Sequence, residues 1–168
     1  AWYLNRGHVD FSLDTTQVAI SPDKKDMYLT AGITEGQIYT ISAVTVSGDT
    51  VLPKEEIEQI VSFITPGSTF SRGLLEIATE AITARLANIG YAFAQVNPVP
   101  TIDRDKRTVA IDMQVQPGPR VNVRRIVYKG NTRTADTVLR REMRQFEGSW
   151  YSQAAVDRSK VRLSRLGY

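Results

Sequence analysis

The chain repeats itself. Gly36 and Gly118 lie 82 residues apart, as do Gly48 and Gly130, and the stretches around them echo one another. Residues 41–48 are echoed by 123–130, and 65–71 by 147–152. Gly7, Gly90 and Gly167 recur at spacings of 83 and 77, the last two each followed by tyrosine (Gly90-Tyr91, Gly167-Tyr168). A period near 80 residues outranks any local reading, because each copy has to be one supersecondary unit with a face to bury.

Residues 38–118 hold the one full copy. An alternating run over 39–46 predicts a strand with one covered face, closed by Ser47-Gly48-Asp49. Two helical patterns follow, 53–64 and 71–89, the second carrying Leu75, Ala78, Ile82, Leu86 and Ile89 on one stripe. Gly90 ends that helix as a left-handed cap would. Runs over 92–98 and 109–116 then alternate around the charged turn Asp103-Arg104-Asp105-Lys106-Arg107. The fold class is therefore α+β, a β-α-α-β-β module with a small mixed three-stranded sheet and two helices on one face. Two helices between the first and second strands leave strand one parallel to strand three, so the expected order is 1-3-2 with strand two on an edge.

The flanks read as parts of further copies. Residues 1–37 are the back half of one module, in which Val9, Phe11 and Leu13 alternate as a strand, 21–26 form a turn, and Leu29, Ala31 and Ile33 alternate in a second strand. Residues 38–119 are the complete module and 120–168 the front half of a third. Beginning at Ala1-Trp2-Tyr3, inside a pattern, the chain reads as cut from something longer.

Composition narrows the function classes. There is no cysteine, hence no disulfide framework and no thiolate metal site. No apolar run approaches the roughly 20 residues that span a bilayer as a helix. The single histidine, His8, sits beside a helix cap, where a capping or surface role is the expectation. Asp103 with Asp105, and Asp23 with Asp26, sit in turns and lack the glycine and glutamate of a calcium loop. Residues 67–73 carry glycines without the Gly-Lys-Ser/Thr ending of a phosphate loop. Nothing points to an enzyme, a catalytic residue, a metal or a cofactor.

Charge points instead to recognition. Residues 1–118 hold 9 Lys and Arg against 14 Asp and Glu, whereas 119–168 hold 12 against 4. A helix expected over 136–147 would bury Leu139, Met143 and Phe146 and set Arg140, Arg141 and Arg144 side by side on its open face, with Asp136 and Glu147 near its ends. Like charges at i,i+4 disfavour an isolated helix, and the equivalent helix 53–64 carries Glu55, Glu56 and Glu58 instead, so the repeat itself does not ask for arginine. A carboxylate-bearing partner would, through bidentate guanidinium pairing. A second candidate is the open sheet edge, where unpaired backbone groups accept an extended peptide by strand addition. Ala92, Phe93 and Ala94 are the usable part in the complete module, since Pro98 and Pro100 remove donors further on. Val9, Phe11 and Leu13 offer a cleaner edge, with a possible bulge at Asp14-Thr15-Thr16. The rival reading is a nucleic-acid-binding module built on the basic segment, although Phe70, the repeat equivalent of the Trp150-Tyr151 region, argues that those aromatics pack.

A unit of this order and length, with Gly-Asn or Gly-Asp after strand one and Gly-Tyr after helix two, resembles the POTRA module. Residues 3–8 (Tyr-Leu-Asn-Arg-Gly-His), 33–36 (Ile-Thr-Glu-Gly) and above all 138–148 (Val-Leu-Arg-Arg-Glu-Met-Arg-Gln-Phe-Glu-Gly) are similar to the POTRA arm of outer-membrane barrel-assembly factors of Gram-negative bacteria. The resemblance implies the end of a third POTRA, a whole fourth and the front of a fifth, on the periplasmic face of the outer membrane. It also implies docking of a BamD-like lipoprotein by Asp136, Arg140, Arg141, Arg144 and Glu147, contact with other assembly-machine lipoproteins, and reception of unfolded outer-membrane proteins. A POTRA from a two-partner secretion transporter is the weaker alternative, disfavoured by the run at 138–148.

Overall fold

The computed structural model describes residues 1–167; Tyr168, the second member of the terminal Gly-Tyr pair, lies outside the described residues. A short 3-10 turn, Leu4–Arg6, precedes β1 (Ser12–Ile20) and β2 (Met27–Thr34). Next come β3 (Thr40–Gly48), α1 (Lys54–Val61), α2 (Arg72–Asn88), β4 (Gln95–Asp103) and β5 (Thr108–Gln116). Two helices, α3 (Asp136–Glu142) and α4 (Gln153–Ser164), close the order. β1 and β2 form an antiparallel hairpin, and the second sheet runs β3-β5-β4. The expected order, with the second strand of the module on an edge, is the one found.

β5, the central strand, shows why the chain folds this way. Its alternate residues Val109, Ile111, Met113 and Val115 are all at or below 2% exposed, the period-2 pattern of a strand with one face sealed. Ala78, Ile82 and Leu86, spaced along one stripe of α2, are fully buried, and Ile41, Ile57 and Leu75 are buried as well. Charge sits outside, as in the Arg85–Glu56 ion pair that ties α2 to α1.

Two boundaries differ from the sequence reading. β1 begins at Ser12, after Val9 and Phe11. The Val9 N–H is turned back onto the Gly7 carbonyl (3.0 Å) and the Phe11 ring stacks on Tyr3 at 4.4 Å, so neither residue is in the strand. β4 begins at Gln95, after Ala92, Phe93 and Ala94. Ala94 is buried and its N–H closes a turn onto the Tyr91 carbonyl. β4 instead runs on through Pro98 and Pro100 to Asp103, which an edge strand tolerates because its outer N–H groups need no partner.

The expected irregularity near Asp14 is present, as the register shifts between Leu13 and Thr15. It has a consequence for the faces of the hairpin. Leu13 and Val18 are an odd number of residues apart and would fall on opposite faces of a regular strand. The bulge resets the alternation, so that Leu13 opposite Ile33, Val18 opposite Leu29 and Ile20 opposite Met27 share one face.

By proximity the chain divides into two compact units. One comprises residues 1–45, 61–77 and 98–112, the other 46–60, 78–97 and 113–168. Each contains one junction between successive repeats, and the two junctions are built alike. In the first, the Tyr39 N–H donates to the Gly7 carbonyl (2.9 Å), and Asn5 Oδ1 accepts the N–H of Gly73 (2.9 Å) in the opening turn of α2. In the second, the Val121 N–H donates to the Gly90 carbonyl (2.8 Å), and Asn88 Oδ1 accepts the N–H of Ala154 (2.8 Å) in the opening turn of α4. The helix start in each case also receives its own serine, Ser71 or Ser152. Two of the orphan amides of each helix N-terminus are thus satisfied, one from within the repeat and one from the repeat before it. The glycines are needed here: Gly90 has φ +109°, and a Cβ on it would lie 2.8 Å from Arg120 Cγ.

Candidate partner-docking site

The repeat continues at the level of hydrogen bonds into residues 120–167. Ile41 N to Ser68 O, Gly67 N to Ile41 O and Phe70 N to Tyr39 O recur as Val123 N to Ser149 O, Gly148 N to Val123 O and Tyr151 N to Val121 O. This backbone frame places the loop 143–152 against the segment 121–126. α3 is carried on that frame.

α3 is shorter than its sequence pattern suggests. It stops at Glu142, and Met143 is extended at φ −69°, ψ 142°. The reason lies in α4, where Ser159 stands at the place held by Ala78 in the preceding repeat. Its hydroxyl accepts the N–H groups of Arg144 (2.8 Å) and Gln145 (3.3 Å), drawing those amides away from helical partners. Gln145 is buried and ties the loop together, donating to the Trp150 carbonyl and accepting the Ser152 N–H. Phe146 is consequently 61% exposed, contrary to the expected buried stripe, while Leu139 is buried as expected. Gln145 and Ser159 carry this arrangement and were not singled out in the sequence. The serine interrupting an otherwise apolar stripe was the available clue.

The five expected partner residues separate into distinct roles. Arg140 Nη1 lies 3.3 Å from Glu147 Oε1, and the same oxygen accepts the Ile126 N–H at 2.7 Å. The Ile126 amide first, and then the Arg140 guanidinium, hold the Glu147 carboxyl below the ordinary glutamate range. Arg140 also lies over the Tyr128 ring, 5.3 Å from its centroid. Arg141 is exposed on the same short helix. Arg144 does not share that face, because its guanidinium donates to the carbonyls of Arg141 (3.2 Å) and Met143 (2.9 Å) at the end of the helix. Asp136 opens the helix and accepts from Asn131 Nδ2 at 2.7 Å, where a carboxylate also complements the helix dipole. The structure therefore brings together Arg140 and Glu147, leaves Arg141 exposed on the helix, and gives Arg144 and Asp136 to the two ends of α3.

Other sequence candidates resolve as local structure. His8 Nδ1 lies 3.1 Å from the Glu35 carbonyl, and Asp103 Oδ1 accepts the N–H groups of Asp105 and Lys106 as a turn does. Trp150 is covered on one face by the Arg120 guanidinium (4.2 Å), which also donates to the Ile89 carbonyl, and Tyr151 is half-buried. Among the described residues no cluster of His, Cys, Asp and Glu could hold a metal ion, and no helix is long and apolar enough to cross a membrane.

Comparison with known proteins follows the same lines. Residues 39–118 and 121–168 each match the model of the POTRA family, described as a surface antigen variable number repeat. The chain is 31% identical over 168 residues to the outer membrane protein assembly factor BamA of Neisseria meningitidis, covering 99% of this chain and 21% of that protein. It is 32% identical over 167 residues to BamA of Buchnera aphidicola, covering 99% of this chain and 27% of that protein. The chain thus spans about a fifth to a quarter of the length of these relatives. In three dimensions it is similar to the crystal structure of POTRA3-5 of Haemophilus influenzae BamA, with a TM-score of 0.88 and 35% identity over 99% of this chain and 66% of that one. A repeat legible in residues, repeated again in backbone hydrogen bonds, and matched in both copies by one family establishes that the chain belongs to the POTRA family.

Proposed function

We propose that the chain is a non-enzymatic scaffold, the periplasmic arm of an outer-membrane β-barrel assembly factor. Its three segments, 1–37, 38–119 and 120–168, correspond on this reading to the end of a third POTRA, a fourth, and the front of a fifth. The similarity to BamA POTRA3-5 along nearly the whole chain supports that assignment.

The α3 face docks a partner lipoprotein, of the BamD kind. The observation that carries this is the Arg140–Glu147 pair. Glu147 is anchored by the Ile126 amide, and Arg140 is anchored in turn by Glu147 and the Tyr128 ring, so the guanidinium is held in place before any partner arrives. Preorganisation of this kind lowers the entropy lost on binding. Both contacts use Glu147 Oε1, and the second carboxylate oxygen is the acceptor offered to an incoming cation. Exposed Arg141 supplies a further guanidinium for a carboxylate.

The β4 edge receives unfolded barrel strands by backbone pairing. The outer side of Gln95–Asp103 is open because β4 ends the order β3-β5-β4. Pro98 and Pro100 break the donor row, so pairing is confined to short stretches and carries little sequence demand.

The test is co-purification from full-length protein. Charge reversal by Arg140→Glu or Glu147→Lys should abolish recovery of the lipoprotein while leaving the protein folded. Undiminished recovery at near-physiological salt contradicts the docking assignment.

A further inference from the structure

Two polar side chains, Gln145 and Ser159, are buried in the segment that carries α3 and α4. The repeat shows what stands there otherwise. Ser68 Oγ donates to the Thr65 carbonyl (2.7 Å) and Ser149 Oγ to the Phe146 carbonyl (2.7 Å), so the two turns align at a spacing of 81. At that spacing Gln145 replaces Ile64 and Ser159 replaces Ala78, both of them buried. Burying a carboxamide and a hydroxyl disfavours folding unless each group finds partners, and the apolar residues of the preceding repeat show that the module does not require them.

Both groups are fully used. Gln145 Nε2 donates to Ser149 Oγ (2.8 Å) and to the carbonyls of Trp150 (3.1 Å) and Phe146 (3.3 Å), and its Oε1 accepts the Ser152 N–H (2.8 Å). The Ser159 hydroxyl accepts the Arg144 and Gln145 amides and donates to the Ala155 carbonyl (2.6 Å). All of these partners lie within residues 144–155. The network encloses the turn Phe146-Glu147-Gly148-Ser149, because one carboxamide grips it at Phe146, before Glu147, and at Ser149 and Trp150, after it. The corresponding turn of the preceding repeat has Pro66 in place of Glu147, and there apolar residues fill both positions.

We propose that Gln145 and Ser159 are positioning residues for partner recognition, fixing the turn 146–149 so that the Glu147 carboxylate meets the Ile126 amide and the Arg140 guanidinium. This rests on docking through the α3 face and adds the layer beneath it. Glu147 is itself exposed, so its aim is set by the backbone that carries it. A recognition group is effective only within about 0.5 Å of its productive position, and a buried, fully paired carboxamide supplies that rigidity. An apolar side chain would fill the same space without gripping either side of the turn. Arg140 follows Glu147, which holds it on one side as the Tyr128 ring does on the other.

Gln145→Met keeps the volume and removes the carboxamide, and Ser159→Ala installs the residue of the preceding repeat. Both are compared with the parent, with Glu147→Gln, and with Gly130→Ala, whose added methyl meets nothing within 4 Å. In carboxyl-resolved NMR titrations, Glu147 should lose its depression in Gln145→Met and Ser159→Ala and return towards 4.5, with faster hydrogen exchange at the Ile126 amide. Gly130→Ala should leave both readings as in the parent, which separates positioning from a general loss of stability. The dissociation constant for a purified BamD lipoprotein at near-physiological salt should rise at least about fivefold in the two positioning variants, as preorganisation is lost. A Glu147 titration unchanged in both variants overturns the proposal. So does parental affinity in both where Glu147→Gln binds more weakly. Parental affinity in Glu147→Gln contradicts the docking reading, and with it the recognition role, while the titration still decides whether the pair positions Glu147.

Discussion

Glu147 Oε1 takes both the Ile126 amide, at 2.7 Å, and the Arg140 guanidinium, at 3.3 Å, so one oxygen joins the start of this repeat to its helix. The link depends on an ionised carboxylate. The ordinary carboxyl value is 4.5, and the Ile126 amide followed by Arg140 holds the folded value below it. As pH falls, the unfolded chain takes up the proton first, so the contribution is full above the unfolded value and is lost as pH falls from about there through the lower folded value. A Glu147→Gln variant has nothing to titrate at this position. Its melting temperature should therefore fall less than that of the parent between pH 7 and pH 4, and parallel curves would remove Glu147 from the pH response.

The asparagine clamps predict a local effect with the same sign at both junctions. Asn88→Ala removes the acceptor for Ala154 N–H, and Asn5→Ala that for Gly73 N–H. Loss of a helix N-terminal acceptor costs about 1 kcal/mol. Hydrogen exchange should accelerate at the Ala154 amide in the first variant and at the Gly73 amide in the second, with β5 amides protected as before in either case. Because Ser71 and Ser152 remain, neither helix should be lost.

Gly48 and Gly130 are repeat equivalents with similar backbone angles, φ +88° and +83°. Their surroundings differ. A Cβ at Gly48 would collide with the Val115 carbonyl of β5, whereas at Gly130 it would meet nothing within 4 Å. Gly130→Ala should cost about 1 kcal/mol, the strain of a left-handed alanine. Gly48→Ala should cost more, about 2–3 kcal/mol, because backbone must also move. Urea denaturation of the two variants at low protein concentration measures the difference.

Ile111 and Leu29 form a similar contrast. Truncating fully buried Ile111 to alanine should cost about 2–5 kcal/mol through lost burial and a residual cavity. The same truncation of exposed Leu29 should stay within about 0.5 kcal/mol when the chain is dilute. Denaturation midpoints at low micromolar concentration check both.

What could be read from the residues alone follows from how locally each feature is determined. The 82-residue spacing, the capping glycines and the strict alternation of β5 depend on backbone chemistry and burial within one repeat, and they led directly to the element order and to the central position of β5. The starts of β1 and β4 were misplaced because alternation continues into residues that the junction turns claim. Val9 turns onto Gly7, and Ala94 onto Tyr91, through hydrogen bonds that periodicity does not report. Arg144 was assigned to an open helix face because helical periodicity extends past Glu142. The serine at position 159, remote in sequence, ends the helix there. Of the basic cluster, the Arg140–Glu147 pair was not legible, because a helix continued through 147 would set these two residues two turns apart; the pair and its Ile126 anchor both needed the helix to stop at Glu142.

Docking through the α3 face is tested most directly by titrating the purified partner lipoprotein into this chain and into its Glu147→Gln variant at near-physiological salt. Glutamine can still accept the Ile126 N–H, so the loop is kept while the charge that holds Arg140 and meets an incoming cation is removed. The account predicts, at pH 7, a dissociation constant raised at least about tenfold, equivalent to about 1.4 kcal/mol. Equal dissociation constants for the two proteins would contradict it.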